Sequence, residues 1–269
     1  MKMAGPAFGF YEHDSLQYHF FSDNIVFSLR LFHTKTLDHA SAWLYDGKKL
    51  TEVYRSNSQL KQTPGDSINF DSNGIKISTN QNTTSISIID GIIDGTVLKL
   101  SLNIQKELKW PDTISTVIHH PNLAGSLSIN GETHNGVGYC KRYSWTPAPH
   151  FWGYRFIQGS CNNGTLNIWT AEATFGTTKY DYFKFINQDG EIFEASPSMS
   201  CHRQDGAYAF IGNDQVSATL LELDEWSTSL CSTGMDSLLR QRCCKLTLKI
   251  GLKTFNGMAI NETCYGTLG

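Results

Sequence analysis

The stretch Phe10-Tyr11-Glu12-His13-Asp14-Ser15-Leu16-Gln17-Tyr18-His19 sets three proton-carrying side chains immediately ahead of an aromatic, apolar run. A carboxylic acid or an imidazolium beside apolar walls has its acidity set by desolvation, which is what general acid catalysis on an alkene or a carbonyl requires. Glu12, His13 and Asp14 are therefore the candidate catalytic residues. A solvated N-terminal segment whose charges only keep it in solution is the competing reading. A second cluster, Tyr143-Ser144-Trp145 followed by His150-Phe151-Trp152-Gly153-Tyr154, crowds aromatic rings with a few polar tips. Ligand pockets are lined in this way, and so are packed junctions between β units. Tyr18, Tyr139, Trp145, His150, Trp152 and Tyr154 are the candidate substrate-binding residues, with a hydrophobic small molecule as the expected ligand.

Other chemistries lack their residues. The chain has no Gly-x-Gly-x-x-Gly after a strand, no phosphate loop, no Gly-x-Ser-x-Gly elbow and no His-Glu-x-x-His. Of the nine histidines, only His119-His120 stand together, and neighbours on a strand point to opposite faces. We expect neither a metal nor a cofactor. A net charge of −3, with charges scattered along the chain, offers no basic stripe to a nucleic acid. No long apolar run suggests a membrane span or a secretory leader. Seven cysteines, an odd number without a Cys-x-x-Cys pair, fit reduced thiols and a cytoplasmic location. The sequons at Asn82, Asn163 and Asn261 would matter only outside the cell. Nothing in the residues addresses the oligomeric state.

The elements that must position the candidate residues read as strands. Segments such as "IVFSLRLFHT", "TSISIIDG" and "TVLKLSLNIQ" are rich in β-branched and aromatic residues, alternate in polarity, and are separated by Asp-Gly and Asn-Gly turns. Only "DSLLRQR", residues 236–242, has a helical look. After "WTPAPHFWG" the strand pattern starts again. Laid without gaps, "LSINGETHNGVGY" and "LKIGLKTFNGMAI" share Leu127/Leu248, Ile129/Ile250, Thr133/Thr254, Asn135/Asn256 and Gly136/Gly257. The hairpin "AWLYDGKKLTE" has a counterpart in "FKFINQDGEIFE". Two copies of one β unit, residues 1–145 and 146–269, account for both echoes. Closing each sheet on itself would remove the exposed edges of so long a meander, so the expected fold is all-β, with two consecutive antiparallel barrels.

Gly136-Val137-Gly138-Tyr139 with Trp145, the cluster Phe151-Trp152-Gly153-Tyr154, an Asp-Gly hairpin and a last strand running from Gly257 to Glu262 follow in order along the chain. This order resembles the tandem lipocalin-like superfamily of carotenoid hydratases and decalin-forming Diels-Alderases. The resemblance implies two lipocalin-like β-barrel domains. It also implies cofactor-independent work on hydrophobic, polyunsaturated biosynthetic intermediates: a cyclase, hydratase or isomerase using acid catalysis and conformational templating. A lipocalin-like carrier that binds such a molecule unchanged is the alternative. Where that family opens on a Glu-Trp-Trp-Tyr-like stretch, this chain has Gln17-Tyr18-His19.

Overall fold

The computed structural model describes residues 13–34, 38–56, 69–72, 74–80, 83–88, 98–103, 108–110, 115–145, 151–161, 164–171, 181–187, 189–195, 200–204, 207–211, 216–232 and 235–267. Among them every regular element is a strand. The first eleven are β1 (His13–Phe21), β2 (Val26–Thr34), β3 (Asp38–Tyr45), β4 (Leu50–Ser56), β5 (Asn69–Ser72), β6 (Ile75–Asn80), β7 (Thr83–Ile88), β8 (Leu98–Asn103), β9 (Leu108–Trp110), β10 (Ser115–Ile129) and β11 (Glu132–Trp145). They form one sheet in the order β4-β3-β2-β1-β11-β10-β8-β7-β6-β5, with β9 also on β10. The next nine are β12 (Phe151–Cys161), β13 (Gly164–Ala171), β14 (Asp181–Asn187), β15 (Ile192–Ala195), β16 (Ser200–Gln204), β17 (Ala207–Ile211), β18 (Val216–Ser232), β19 (Met235–Ile250) and β20 (Lys253–Thr267). Their order is β15-β14-β13-β12-β20-β19-β18-β17-β16. All the ladders described are antiparallel, each sheet apart from β9 is a single path of strands among the described residues, and the strands curl as a half-barrel. The chain divides into two compact units, Met1–Tyr45 with Thr51–Pro147, and Asp46–Leu50 with Ala148–Gly269.

The two sheets repeat one another. β10 and β11 turn at Asn130-Gly131, so that Ile129 faces Glu132, while β19 and β20 turn at Gly251-Leu252, so that Ile250 faces Lys253. Asn130 and both glycines have positive φ, the backbone state that two-residue hairpin turns demand. The matched Leu127 and Leu248 are both fully buried, each in its own apolar cluster. The matched Gly136 and Gly257 do the same job. A Cβ on Gly136 would lie 2.2 Å from the Phe21 carbonyl oxygen, and one on Gly257 would lie 1.8 Å from that of Ser160. Only glycine lets β1 approach β11, and β12 approach β20, so closely. The Asp-Gly hairpins also correspond: β3–β4 turns at Asp46-Gly47, where the Asp46 carboxylate accepts from the Lys48 and Lys49 amides, and β14–β15 turns at Asp189-Gly190, with Gly47 and Gly190 at positive φ.

One expectation fails. Residues 236–242 are not helical but lie inside β19, paired with β18 and β20. Leu239 and Gln241 there are buried with Arg240 exposed between them, the alternation of a strand, so two flanking strands overrode a local helical tendency. His119 and His120 are consecutive in β10, just before the irregularity between His120 and Leu123. Among the described residues no helix is long and apolar enough to cross a membrane.

Candidate functional site

In the first sheet, alternation sends Leu16, Tyr18 and Phe20 of β1, Phe27, Leu29 and Leu31 of β2, Ala40 and Ala42 of β3, and Cys140 of β11 into one apolar cluster. On a half-exposed sheet the other face would be wet. Here it is buried as well, and it is polar.

Register builds that face row by row. Ser41, Arg30, Gln17 and Lys141 stand opposite one another across β3, β2, β1 and β11, and two residues further along stand Trp43, Ser28, His19 and Tyr139. None of the eight is more than 3% exposed. Neighbours within a row have Cβ atoms about 5 Å apart and the rows lie about 7 Å apart, so the patch is roughly 15 Å by 7 Å. The His19 ring stacks on Tyr139 with centroids 6.1 Å apart and planes at 23°, and it meets the edge of Phe21 at 6.2 Å. Burying a guanidinium and an ammonium is costly, and an all-apolar row would pack more cheaply. The arrangement brings together what cofactor-free catalysis uses: an imidazole for proton transfer, amide, guanidinium and ammonium donors for a polarised oxygen, and aromatic walls.

The residues singled out from sequence fall variously. Tyr139 stands in the second row. Tyr18 is buried but on the opposite face, opposite Cys140 and Leu29, so Tyr18 and Tyr139 do not line one surface. Glu12 and His150 lie outside the described residues. His13 and Asp14 begin β1, in register with Trp145 and Ser144 of β11. Trp152 and Tyr154 lie in β12, opposite Gly266 and Cys264. The side chains of His13, Asp14, Trp145, Trp152 and Tyr154 are not described. Sequence reasoning missed Ser28, Arg30, Ser41, Trp43 and Lys141, and it noted Gln17 and His19 without assigning them. The available signal was a polar residue alternating with apolar ones in β1 and β2, which reads equally well as a solvent face.

The second unit holds an ion cluster around the buried Arg242. Arg242 Nε lies 2.8 Å from Glu225 Oε2 and 3.3 Å from Glu222 Oε1, and Nη1 donates to Thr263 Oγ1 at 3.3 Å. Burial pushes the Cys161 and Cys244 thiols up to about 12 and raises that of Cys243 further. These thiols are poor nucleophiles. Asn261, in the third sequon, is fully buried and not available to a glycan. Among the described residues no group of His, Cys, Asp and Glu is arranged to hold a metal ion.

No protein-family model matches the sequence, nor does any curated protein. The fold does have solved counterparts. An AttH-type protein of Nitrosomonas europaea superposes with a TM-score of 0.67 at 12% identity, over 96% of this chain and 94% of that one. Kievitone hydratase of Nectria haematococca gives 0.65 at 10% identity, over 94% and 88%. CghA with Sch210972 gives 0.60 at 9% identity, over 96% and 88%. The fold is the tandem lipocalin-like one, all-β with two consecutive antiparallel units.

Proposed function

We propose that this protein is a cofactor-independent enzyme, a cyclase, hydratase or isomerase, whose substrate is an unsaturated carbonyl on a hydrophobic skeleton. The observation that carries this reading is the buried two-row face of Gln17, His19, Ser28, Arg30, Ser41, Trp43, Tyr139 and Lys141. Hydrogen-bond donors set beside aromatic walls suit an oxygen that gains negative charge, as a conjugated carbonyl's does when its β-carbon is attacked. A bare carbocation would be disfavoured beside two cationic side chains, which argues for the carbonyl over an isolated alkene. In this reading His19 transfers the proton, Arg30 and Lys141 hold the oxygen, and Trp43 and Tyr139 fix the reactive conformer. The structural likeness to a hydratase adds support for chemistry rather than storage. The buried thiols of Cys161, Cys243 and Cys244 suit a reducing compartment, and we place the protein in the cytoplasm.

The test is a panel of polyene and prenylated enones incubated with the protein in heavy water, followed by mass spectrometry for conversion and for deuterium at the α-carbon. His19→Gln should lower turnover about 10²- to 10⁴-fold with binding little changed. If it leaves turnover intact, the proton is carried by another group, and Glu12, His13 and Asp14 become the next variants. Wild-type protein that binds several of these compounds and alters none would establish a carrier instead.

A further inference from the structure

The internal repeat allows the polar face of the first unit to be compared with the same positions in the second. Phe20 faces Gly138 as Gly159 faces Ala259, and Gly138 and Ala259 are equivalent in the repeat. Counting along the strands, Gln17, His19, Tyr139 and Lys141 therefore correspond to Phe156, Gln158, Ile260 and Glu262. All four in the second unit are at most 1% exposed. The ladder places Phe156, Glu262, Gln241 and Trp226 opposite one another across β12, β20, β19 and β18, with Gln158, Ile260 and Cys243 in the next row. Gln241 Nε2 donates to Glu262 Oε2 at 2.6 Å. Gln158 is different: among the described residues neither its Nε2 nor its Oε1 has a hydrogen-bond partner, although the side chain is buried diagonally from Glu262.

A buried primary amide without partners is destabilising where it stands, and a methionine of similar size would remove that cost. We propose that Gln158, Glu262 and Gln241 form a binding site on the second unit for a hydroxy-carbonyl group carried by an apolar molecule. The amide offers two N–H donors and an acceptor oxygen to the ligand, and the carboxyl group of Glu262, which takes the Gln241 N–H, accepts from a hydroxyl as well. A carbonyl taking a Gln158 N–H and a neighbouring hydroxyl donating to Glu262 give each side chain a ligand partner, while Phe156, Ile260 and Trp226 cover the skeleton. The site does not rest on the activity proposed for the first unit.

The probe is 4-hydroxy-4-phenylbutan-2-one, with 4-phenylbutan-2-one and 1-phenylbutan-1-ol as controls lacking the hydroxyl or the carbonyl, each titrated calorimetrically. No turnover is read, so failure of the enzyme proposal leaves the result standing. Wild-type protein should bind the hydroxy ketone about tenfold tighter than either control, the worth of one good hydrogen bond. Gln158→Met should abolish that preference and raise the Tm by roughly 2–4 °C. Glu262→Gln should weaken the hydroxy ketone and leave 4-phenylbutan-2-one unchanged. Equal affinity of wild type for all three compounds would overturn the site, as would no binding at all. So would a Gln158→Met variant with lowered Tm and unaltered preference, since that describes a structural amide satisfied by water.

Discussion

Gly136→Ala tests both the repeat and the close approach of strands that it imposes. The added Cβ would sit 2.2 Å from the Phe21 carbonyl oxygen and 2.7 Å from the Phe20 ring, where real Cβ atoms keep beyond 3.0 Å. The backbone of β1 must then withdraw from β11 by about 0.8 Å, the difference between 3.0 and 2.2 Å. The Phe20 ring has no room of its own, being fully buried in the apolar cluster. Overpacking typically costs 1–3 kcal/mol, and a clash with backbone belongs at the upper end, so we expect about 3 kcal/mol and a Tm lower by about 6–12 °C. Gly257→Ala should cost at least as much, because its Cβ would lie 1.8 Å from the Ser160 oxygen. Gly131→Asn is the control: that glycine has positive φ but nothing within 4 Å, and asparagine tolerates the conformation. Differential scanning calorimetry is the assay. If the units melt separately, each alanine should move a different transition. A Tm within about 1 °C of wild type for either alanine variant would refute the claim that these glycines are structural equivalents.

Two further outcomes follow from the second unit. Arg242→Met leaves Glu222 and Glu225 facing each other, which should cost about 2–3 kcal/mol in urea unfolding, less than a fully buried pair because Glu225 is partly exposed. Adding Glu222→Gln and Glu225→Gln should recover most of that loss, and no recovery would mean that Arg242 acts by packing alone. Cys161, Cys243 and Cys244 should resist a disulfide exchange reagent at pH 8 until the protein is denatured, since burial raises all three thiols. With folded values above the ordinary 9.0, the stability they contribute is complete below pH 9 and is lost as pH rises from 9 towards 12. Rapid labelling of any of the three in folded protein, mapped by mass spectrometry, would contradict this.

The sequence by itself determined the class of fold. Period-two alternation, the Asp46-Gly47, Asn130-Gly131 and Asp189-Gly190 dipeptides and the Gly136/Gly257 echo are local signals, and each maps onto a feature found at that place: a strand, a positive-φ turn or a close backbone contact. The site was far less legible. Alternation states that Gln17 and His19 share a face of β1, but it does not state whether water or protein covers that face. Nor does it name the neighbouring strand. Gln17 meets Lys141 because β1 pairs with β11 from the far end of the unit, and Gln158 lies diagonally from Glu262 because β12 pairs with β20. For the same reason Tyr18 and Tyr139, both plausible pocket walls by type, are separated by the thickness of the sheet, and a helix-like run at 236–242 became strand between two partners. Only the tertiary structure decided these points, because a strand's backbone bonds and half of its burial come from segments remote in sequence, and a shift of one residue in that pairing would exchange one face for the other.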